Sequence, residues 1–466
     1  MNDEREERKR RFSRMLSGYG MLLVLLGLAA FFSWQTMDVQ HPAGAAAGKL
    51  VARQTIAETP ATAKLLVIAR AGGDDDDFTA AVVAALASDG RKPVAVVQGL
   101  AVEARKAIDA QIAAGQGIDA ILCTDGARQW PLFDNISQRF PALVTTRLIS
   151  PQPYRWPNFL KLDNLRNVAN QIVVIAIIAI GMTLVIITGG IDLSVGSLIA
   201  LSAVTATLVI ARWCGGDQAS ALGMVGACGV AILLCAGVGL TSGLAVAVCG
   251  LPPFIATLGM MLIGSGFAFI LSRGESIYQV PETFVRLGRG ADLGGIPNSV
   301  VLMVVLYVAA HLLMSRTVLG RYIYAIGGNR EAARLAGVPV TLVILLVYTL
   351  CGALAGLGGI VTASQLKSGA PTYGQMYELY AIAAVVVGGT SLSGGEGRIT
   401  GTLIGAFIIA VIQNGMNLTG VESYTQKVVL GLVILGAVLL DTIKHRLSPL
   451  AWLRRIAGTK EPPRIP

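Results

Sequence analysis

Apolar residues fill most of this chain in blocks separated by short polar turns. A helix needs about 20 mainly apolar residues, at about 1.5 Å each, to cross about 30 Å of hydrocarbon. Runs that meet or approach this length begin near Tyr19, Asn170, Val195, Ala221, Phe254, Val300, Thr341, Tyr380, Gly401 and Val428. They predict an α-helical polytopic membrane protein of about ten transmembrane helices, the first over 18–35 and the rest within 157–442. The first run follows a basic head as a signal peptide would. HPAGAAAG, at 41–48, is only a loose match to a small-residue cleavage site, so the first helix is expected to be retained.

Between the first two spans the texture changes. Over 61–149, LLVIAR (65–70), KPVAVVQ (92–98), DAILC (119–123) and ALVTTR (142–147) read as strands. They alternate with helical stretches at 78–88, 101–115 and 130–140. Short apolar strands separated by helices predict a small α/β domain with a parallel sheet. The acidic run Asp74 to Asp77 has two readings: a cation or sugar-hydroxyl site, or carboxylates capping the helix expected from Phe78.

Composition fits a bilayer better than an ordinary soluble enzyme, with 54% hydrophobic and 14% charged residues. The net charge of +9 does not imply nucleic acid as a partner, because much of it flanks the spans. Arg5, Arg8, Lys9, Arg10, Arg11 and Arg14 precede the first run, in the segment 1–17. Lys444, Arg446, Arg454, Arg455, Lys460 and Arg464 follow the last, in 443–466. Basic flanks mark cytoplasmic segments. The 316–340 loop agrees, carrying Arg316, Arg321, Arg330 and Arg334 against Glu331 alone, whereas 273–299 is charge-balanced. Both termini are therefore expected in the cytoplasm and the α/β domain outside it, in a bacterial inner membrane. The six cysteines and three histidines show no ligand spacing, so neither a metal site nor a disulfide frame is expected.

Three membrane-region phrases stand out. GGIDLSVGS breaks an apolar run with Gly189, Gly190, Asp192, Ser194 and Gly196. A carboxylate at membrane depth is costly, so Asp192 is either functional or, with Ser194, caps the helix starting near Val195. In RYIYAIGGNREAARLAGVPV (321–340), Gly327, Gly328 and Asn329 are expected to turn the chain. A short helix over Glu331–Leu335, capped by Asn329 and stopped at Gly337, would then suit docking into a groove of another protein. The third phrase, YELYAIAAVVVGGTSLSGGEG, carries Glu378, Gly388, Gly389, Thr390, Ser391, Gly394, Gly395 and Gly397. Spans rich in small residues, at 237–250 and 351–364, predict close helix packing.

Together with FIATLGMMLIGSGFAFILSRG and QNGMNLTGV, these phrases closely resemble the permease subunits of ribose, xylose and galactoside ABC importers, from about Pro157 to Asp441. The resemblance implies a ten-helix permease paired with a second permease, a cytoplasmic ATPase and an extracytoplasmic sugar-binding protein. It places the ATPase-coupling segment on Gly327, Gly328, Asn329, Glu331, Ala332, Ala333, Arg334 and Gly337. This chain departs from the family in having Glu396 where a basic residue is common, and in carrying the inserted domain. That domain, through the series Gln111, Gly115, Gly117, Ile118, Asp119, Ala120 and Ile121, resembles the first lobe of a type I periplasmic sugar-binding protein. Ligands of such sheets lie beyond the carboxyl ends of the strands, here pointing to Arg70, Asp74, Gln98 and Asp125. Only one lobe is present, so a docking scaffold and a working receptor both remain open.

Leu392 to Glu396 also reads like the signature with which ABC ATPases clamp a phosphate. The chain has no GxxxxGK[ST] phosphate loop, so it is expected to use ATP only through a partner and to carry no cofactor or catalytic residue. Asn170, Gln171, Ser242, Thr257, Gln413, Asn414 and Asn417 could line a solute path or bond helix to helix. Two rival readings are a sugar-sensing membrane receptor and an ion-coupled secondary transporter. Against the first, only about 25 polar residues follow the last span, with no signalling segment; against the second, paired ionisable groups in the spans are nearly absent.

Overall fold

A computed structural model describes residues 20–446, with side chains described through residue 439. The basic groups at 5–14 and 444–464, on which part of the expected orientation rests, lie outside the described residues. The chain divides into two compact units, Met37–Pro157 and the remainder.

After helix α1 (Gly20–Gln35), the smaller unit opens with β1 (Met37–Gln40), α2 (Gly44–Glu58), β2 (Leu65–Ala69), α3 (Asp74–Ser88) and β3 (Ala95–Gln98). It continues with α4 (Ala101–Ala113), β4 (Ala120–Cys123), the short helices α5 (Asp125–Arg128) and α6 (Ile136–Arg139), β5 (Arg147–Ile149) and β6 (Tyr154–Pro157). Four strands form a parallel sheet in the order β3-β2-β4-β5. Successive side chains of a strand point to opposite faces, and β2 shows the consequence. Leu65, Val67 and Ala69 join Ala47, Val51, Phe78, Val82 and Leu86 of α2 and α3, while Leu66 and Ile68 join Ala104, Ile108 and Phe133 on the other face. β1 and β6 pair antiparallel, Met37 opposite Pro157, so the chain enters and leaves this unit side by side.

Several details differ from the sequence expectation. The unit begins at Met37 rather than 61, because α2 packs on α3: Gly48 lies so close that a Cβ there would sit 2.5 Å from the Phe78 carbonyl. α3 starts at Asp74, not Phe78, which puts all four aspartates in its first turn, where they complement the positive helix end. Its N-cap is Gly73, without a side-chain cap. The carboxylates instead hold the preceding loop, Asp75 accepting from the Arg70 N–H at 2.9 Å and Asp76 from that of Gly72 at 3.1 Å. The helix expected over 130–140 is reduced to α6, with Pro141 starting a 3-10 turn, and the last strand is 147–149 rather than 142–147. Burial pushes the Cys123 thiol up to about 12.

The larger unit adds α7 (Leu162–Ile187), α8 (Val195–Trp213), α9 (Ala221–Ala247), α10 (Pro253–Ser272), α11 (Glu282–Arg289) and α12 (Asn298–Arg316). Then come α13 (Val318–Gly328), α14 (Arg330–Leu335), α15 (Val340–Leu366), α16 (Tyr377–Val387), α17 (Ile399–Leu418) and α18 (Ser423–Arg446). Seven of these, α7, α8, α9, α10, α12, α15 and α17, are long and apolar enough to cross a membrane, and α1, α16 and residues 423–439 of α18 are shorter apolar helices. The chain is a multi-pass α-helical membrane protein. Most helices begin within a few residues of their expected positions; α7 begins eight residues before Asn170, with a more polar first stretch, LDNLRNVA.

α7 and α15 form the packed centre. In lipid, helices associate through close van der Waals contact, which small residues permit. Gly352 of α15 faces the Cys235 carbonyl of α9, and Gly239 of α9 faces that of Tyr348; a Cβ at either position would overlap backbone. On the other side of α15 a Cβ at Gly359 would sit 2.5 Å from the Ile199 carbonyl of α8, and one at Gly181 of α7 would sit 2.8 Å from the Cys351 Cα. By contrast α9, α10, α12 and α18 leave broad apolar faces exposed, including Leu233, Leu262, Val305 and Leu435. Gly352→Val is therefore expected to force α9 and α15 apart at a cost of about 1–3 kcal/mol, the scale of overpacking. Its melting temperature in detergent should fall well below that of Gly226→Val, whose site is open within 4 Å.

Candidate functional site

The first two glycine-rich phrases and the third converge on one junction. α7 ends at Ile187, and its carbonyl accepts the N–H of Gly395 at 2.9 Å. Gly327 sits against the same carbonyl and against the Gly395 nitrogen, with no room for a side chain. Gly394 and Gly395 adopt φ of 85° and 77°, conformations open to glycine at little cost. A Cβ on Gly394 would lie 3.1 Å from the Gly189 nitrogen, and one on Gly395 would lie 3.0 Å from that of Gly328. The Tyr324 hydroxyl closes the junction by donating to the Gly397 carbonyl at 2.8 Å. Neither Tyr324 nor Ile187 stood out in the sequence.

This geometry changes one expectation. Gly327 and Gly328 do not turn the chain; they are the last residues of α13, and Gly327 is kept bare by the Ile187 carbonyl and the 394–395 turn. The reversal falls on Asn329 alone. Its side chain caps α14 by accepting the Ala332 N–H at 2.9 Å, and Gly337, at φ 84°, follows the helix end. Ala333 is buried, while Leu335 is exposed and Arg334 reaches Glu331 at 2.9 Å on the surface. A short polar helix with one exposed leucine is thus fixed to the junction.

Asp192 is fully buried and makes a local turn rather than a helix cap. Its Oδ1 accepts the Ser194 N–H at 3.0 Å and the Ser194 hydroxyl at 2.6 Å, while α8 starts at Val195 without a side-chain cap. Thr390 and Ser391 are buried beside the junction, and Gly388 packs on the Gly401 carbonyl at the start of α17.

A cavity of about 310 Å³ opens where α8 and α16 begin, lined by Ser197, Ser265, Tyr373, Gln375 and Glu378 with Met261 and Leu262. Glu378 lies directly over Gly196, where a Cβ would overlap its Oε2. None of the polar candidates read from the sequence as a path lines this cavity. Asn170 accepts from Ser299 at 2.6 Å and Gln365 at 3.1 Å, and Asn414 pairs reciprocally with Asn164. Thr257 donates to the Ile191 carbonyl at 3.2 Å, and Asn417 accepts from Gln426 at 2.7 Å. Ser242 is buried in α9, and Gln171 and Gln413 lie on α7 and α17. Of the cavity's residues, Tyr373, Gln375 and Glu378 sit in PTYGQMYE (371–378), whose mix of polar and aromatic residues between two apolar runs reads as a connector.

In the smaller unit a cleft of about 620 Å³ lies beyond the carboxyl ends of β2 and β3, bringing Arg70 and Gln98 together with Glu103 and Trp130. Arg70 also donates to the Gly126 carbonyl at 2.8 Å. Asp74 and Asp125 do not line it; Asp125 pairs with His41 at 2.9 Å. Among the described residues no cluster of three or more His, Cys, Asp or Glu could hold a metal ion.

Helices broken inside the apolar layer, a cavity at the break and an exposed helical knob define a membrane transport subunit. A family model described as the permease component of branched-chain amino acid transport systems matches residues 164–438. The chain belongs to this permease family, and the Met37–Pro157 unit lies before the matched region. It is 47% identical over 293 residues to the ribose import permease protein of Escherichia coli strain K12, covering 62% of this chain and 88% of that one. It is 43% identical over 316 residues to the ribose import permease protein of Bacillus subtilis strain 168, covering 67% and 95%. The D-allose transport system permease protein of Escherichia coli K12 is 38% identical over 286 residues, covering 61% and 85%. No solved structure matches the chain.

Gly327→Val is expected to wedge α13 off the Ile187 carbonyl and the 394–395 turn, again at about 1–3 kcal/mol. Gly328→Ala, at a site open within 4 Å, should be mild. Limited proteolysis of the 328–337 segment should accelerate in the first variant only; equal rates in both would remove the junction's anchoring role.

Proposed function

We propose that the chain is the membrane-spanning permease subunit of an ATP-driven importer for a sugar or sugar-like solute. One observation carries the coupling part of this reading: α14 is exposed, yet its root at Gly327 and Gly328 is held against the end of α7 and the 388–397 turn. A push on α14 is thereby delivered to three membrane helices at once. The similarity to ribose and allose permeases supports the sugar class.

On this reading the chain crosses a bacterial inner membrane ten times, using seven long apolar helices and three shorter ones, with both termini in the cytoplasm. A partner ATPase in the cytoplasm binds the 327–337 segment and alone uses ATP; this chain performs no catalysis and needs no cofactor. A second permease subunit completes the path, lipid covers the remaining apolar faces, and an extracytoplasmic sugar-binding protein delivers the solute. The α/β unit lies outside the cytoplasm as a docking scaffold derived from one lobe of such a binding protein.

Arg334→Glu removes the basic group from the exposed face of α14 without touching the buried junction. Co-purification of the ATPase from detergent is expected to be lost, with membrane insertion intact; retained ATPase binding and transport would remove α14 from the coupling role. Titrating the Met37–Pro157 unit calorimetrically with a monosaccharide panel should give no heat at micromolar sugar. Micromolar binding through the Arg70–Trp130 cleft would make the unit a receptor instead.

A further inference from the structure

We propose that the cavity between α8, α10 and α16 is where the transported solute rests within the membrane, and that it selects a neutral polyhydroxylated molecule of monosaccharide size. This rests on the importer reading above and adds the residues that hold the solute.

Depth comes first. α16 has only 11 residues, about 16 Å of helix, or roughly half of the hydrocarbon layer. Its C-terminal end packs at Gly388 on the Gly401 carbonyl, near the start of the 20-residue α17. Its first residues, Tyr377 and Glu378, consequently lie level with the middle of α17. α8 begins at the same depth, because Gly196 in its first turn lies under the Glu378 carboxylate and against the Gly374 carbonyl. The cavity is therefore internal to the membrane.

The wall supplies hydrogen-bonding groups with capacity to spare, although the Glu378 carboxylate also accepts its own backbone N–H. Among the described residues, neither the Gln375 amide nor the Glu378 carboxylate forms a hydrogen bond with another side chain. Such capacity inside an apolar layer is costly unless water or a ligand uses it. The Ser197 hydroxyl, by contrast, donates to the Ser194 carbonyl at 2.8 Å, and the Tyr373 hydroxyl is shared with Ser368 at 2.5 Å. The segment also holds Met376 at φ 68° next to Gly374 at 72°. A left-handed non-glycine residue costs energy and clusters at ligand sites.

The lining selects the class of solute. No lysine or arginine lines the cavity, so an anion has no countercharge, and the carboxylate of an amino acid would face Glu378. Hydroxyl groups suit an amide and a carboxylate that accept their protons, while Met261, Leu262 and Ala200 offer apolar surface to the C–H faces of a sugar ring. The volume of about 310 Å³ stands at the small end of ligand pockets, about 300–1,000 Å³.

The test uses membrane vesicles containing the full chain with its ATPase and binding protein, and tritiated D-ribose, D-allose, L-arabinose and L-leucine as probes. The native chain is expected to accumulate at least one of the sugars and no leucine. Glu378→Gln should lower the amount of sugar moved per ATP hydrolysed at least about tenfold, the scale set by one charge-assisted hydrogen bond. Ser265→Phe, which fills the cavity without removing a buried hydrogen bond, should do the same, and Gln375→Ala should change the preference among the three sugars. A merely structural defect would lower transport and hydrolysis together and leave their ratio unchanged, with a reduced melting temperature. Native ratios in both Glu378→Gln and Ser265→Phe, with the native chain transporting, would overturn the site and leave the importer reading standing. Accumulation of leucine alone, or of no probe, would overturn the reading itself.

Discussion

The structure depends on a place where side chains are missing. At the end of α7 the Ile187 carbonyl accepts the Gly395 N–H, and Gly327 is pressed against the same oxygen. Backbone groups in contact cannot slide past one another as side chains can, since there is no rotamer to absorb the motion. Packed interiors respond to displacement as units for this reason. The root of the α14 knob, the end of α7 and the link between α16 and α17 therefore act as one joint. The same logic runs through the bundle, where Gly352 on Cys235 and Gly239 on Tyr348 fix α9 to α15.

Broken helices raise a second constraint. In an apolar layer every free N–H and C=O must find a partner, so a helix stops there only where protein or a polar space receives its ends. α8 and α16 both start beside the cavity, and the structure meets the requirement in two ways. In the 189–194 break the Gly189 and Gly190 N–H groups return to the Ile186 and Val185 carbonyls, and Asp192 accepts the N–H and hydroxyl of Ser194. At 373–376 the chain turns through Gly374 and Met376 with positive φ, bringing Glu378 over Gly196. Glycine at 196 and 374 is what lets a carboxylate and a carbonyl occupy space that any Cβ would fill.

Most span positions were legible because a run of about twenty apolar residues has few alternatives. The α14 knob was legible too, since Asn before and Gly after a short helix have specific backbone roles, both seen at Asn329 and Gly337. The junction was not, because glycines at 189, 327 and 395 show individually as turns or small residues, and only distance in space makes them one site. α2 escaped notice for a different reason: its buried positions, Ala47, Gly48, Val51, Ala52 and Thr55, are too small to stand out as an apolar stripe. Of the two roles open to the polar groups of the spans, Asn170 and Asn414 take the bond from helix to helix, while Thr257 bonds the Ile191 carbonyl in the break before α8. Of the cavity-lining residues, Glu378 stood out within the third phrase, whereas Gln375 went unnoticed in a stretch that reads as a connector.

The phrase LSGGE at 392–396 shows how one chemistry can serve two ends. A glycine-rich turn exposes consecutive N–H groups, and such donors can cradle a phosphate. Here the Gly395 N–H is committed to the Ile187 carbonyl and the Gly394 N–H to that of Ser391, at 3.2 Å. The turn closes on itself through the Ser391 N–H and the Glu396 carbonyl at 3.1 Å. Donors engaged in this way hold protein to protein. Reading the phrase as a nucleotide clamp would require those bonds to break, and with them the attachment to α7 of the turn on which Gly327, at the root of the exposed knob, is packed.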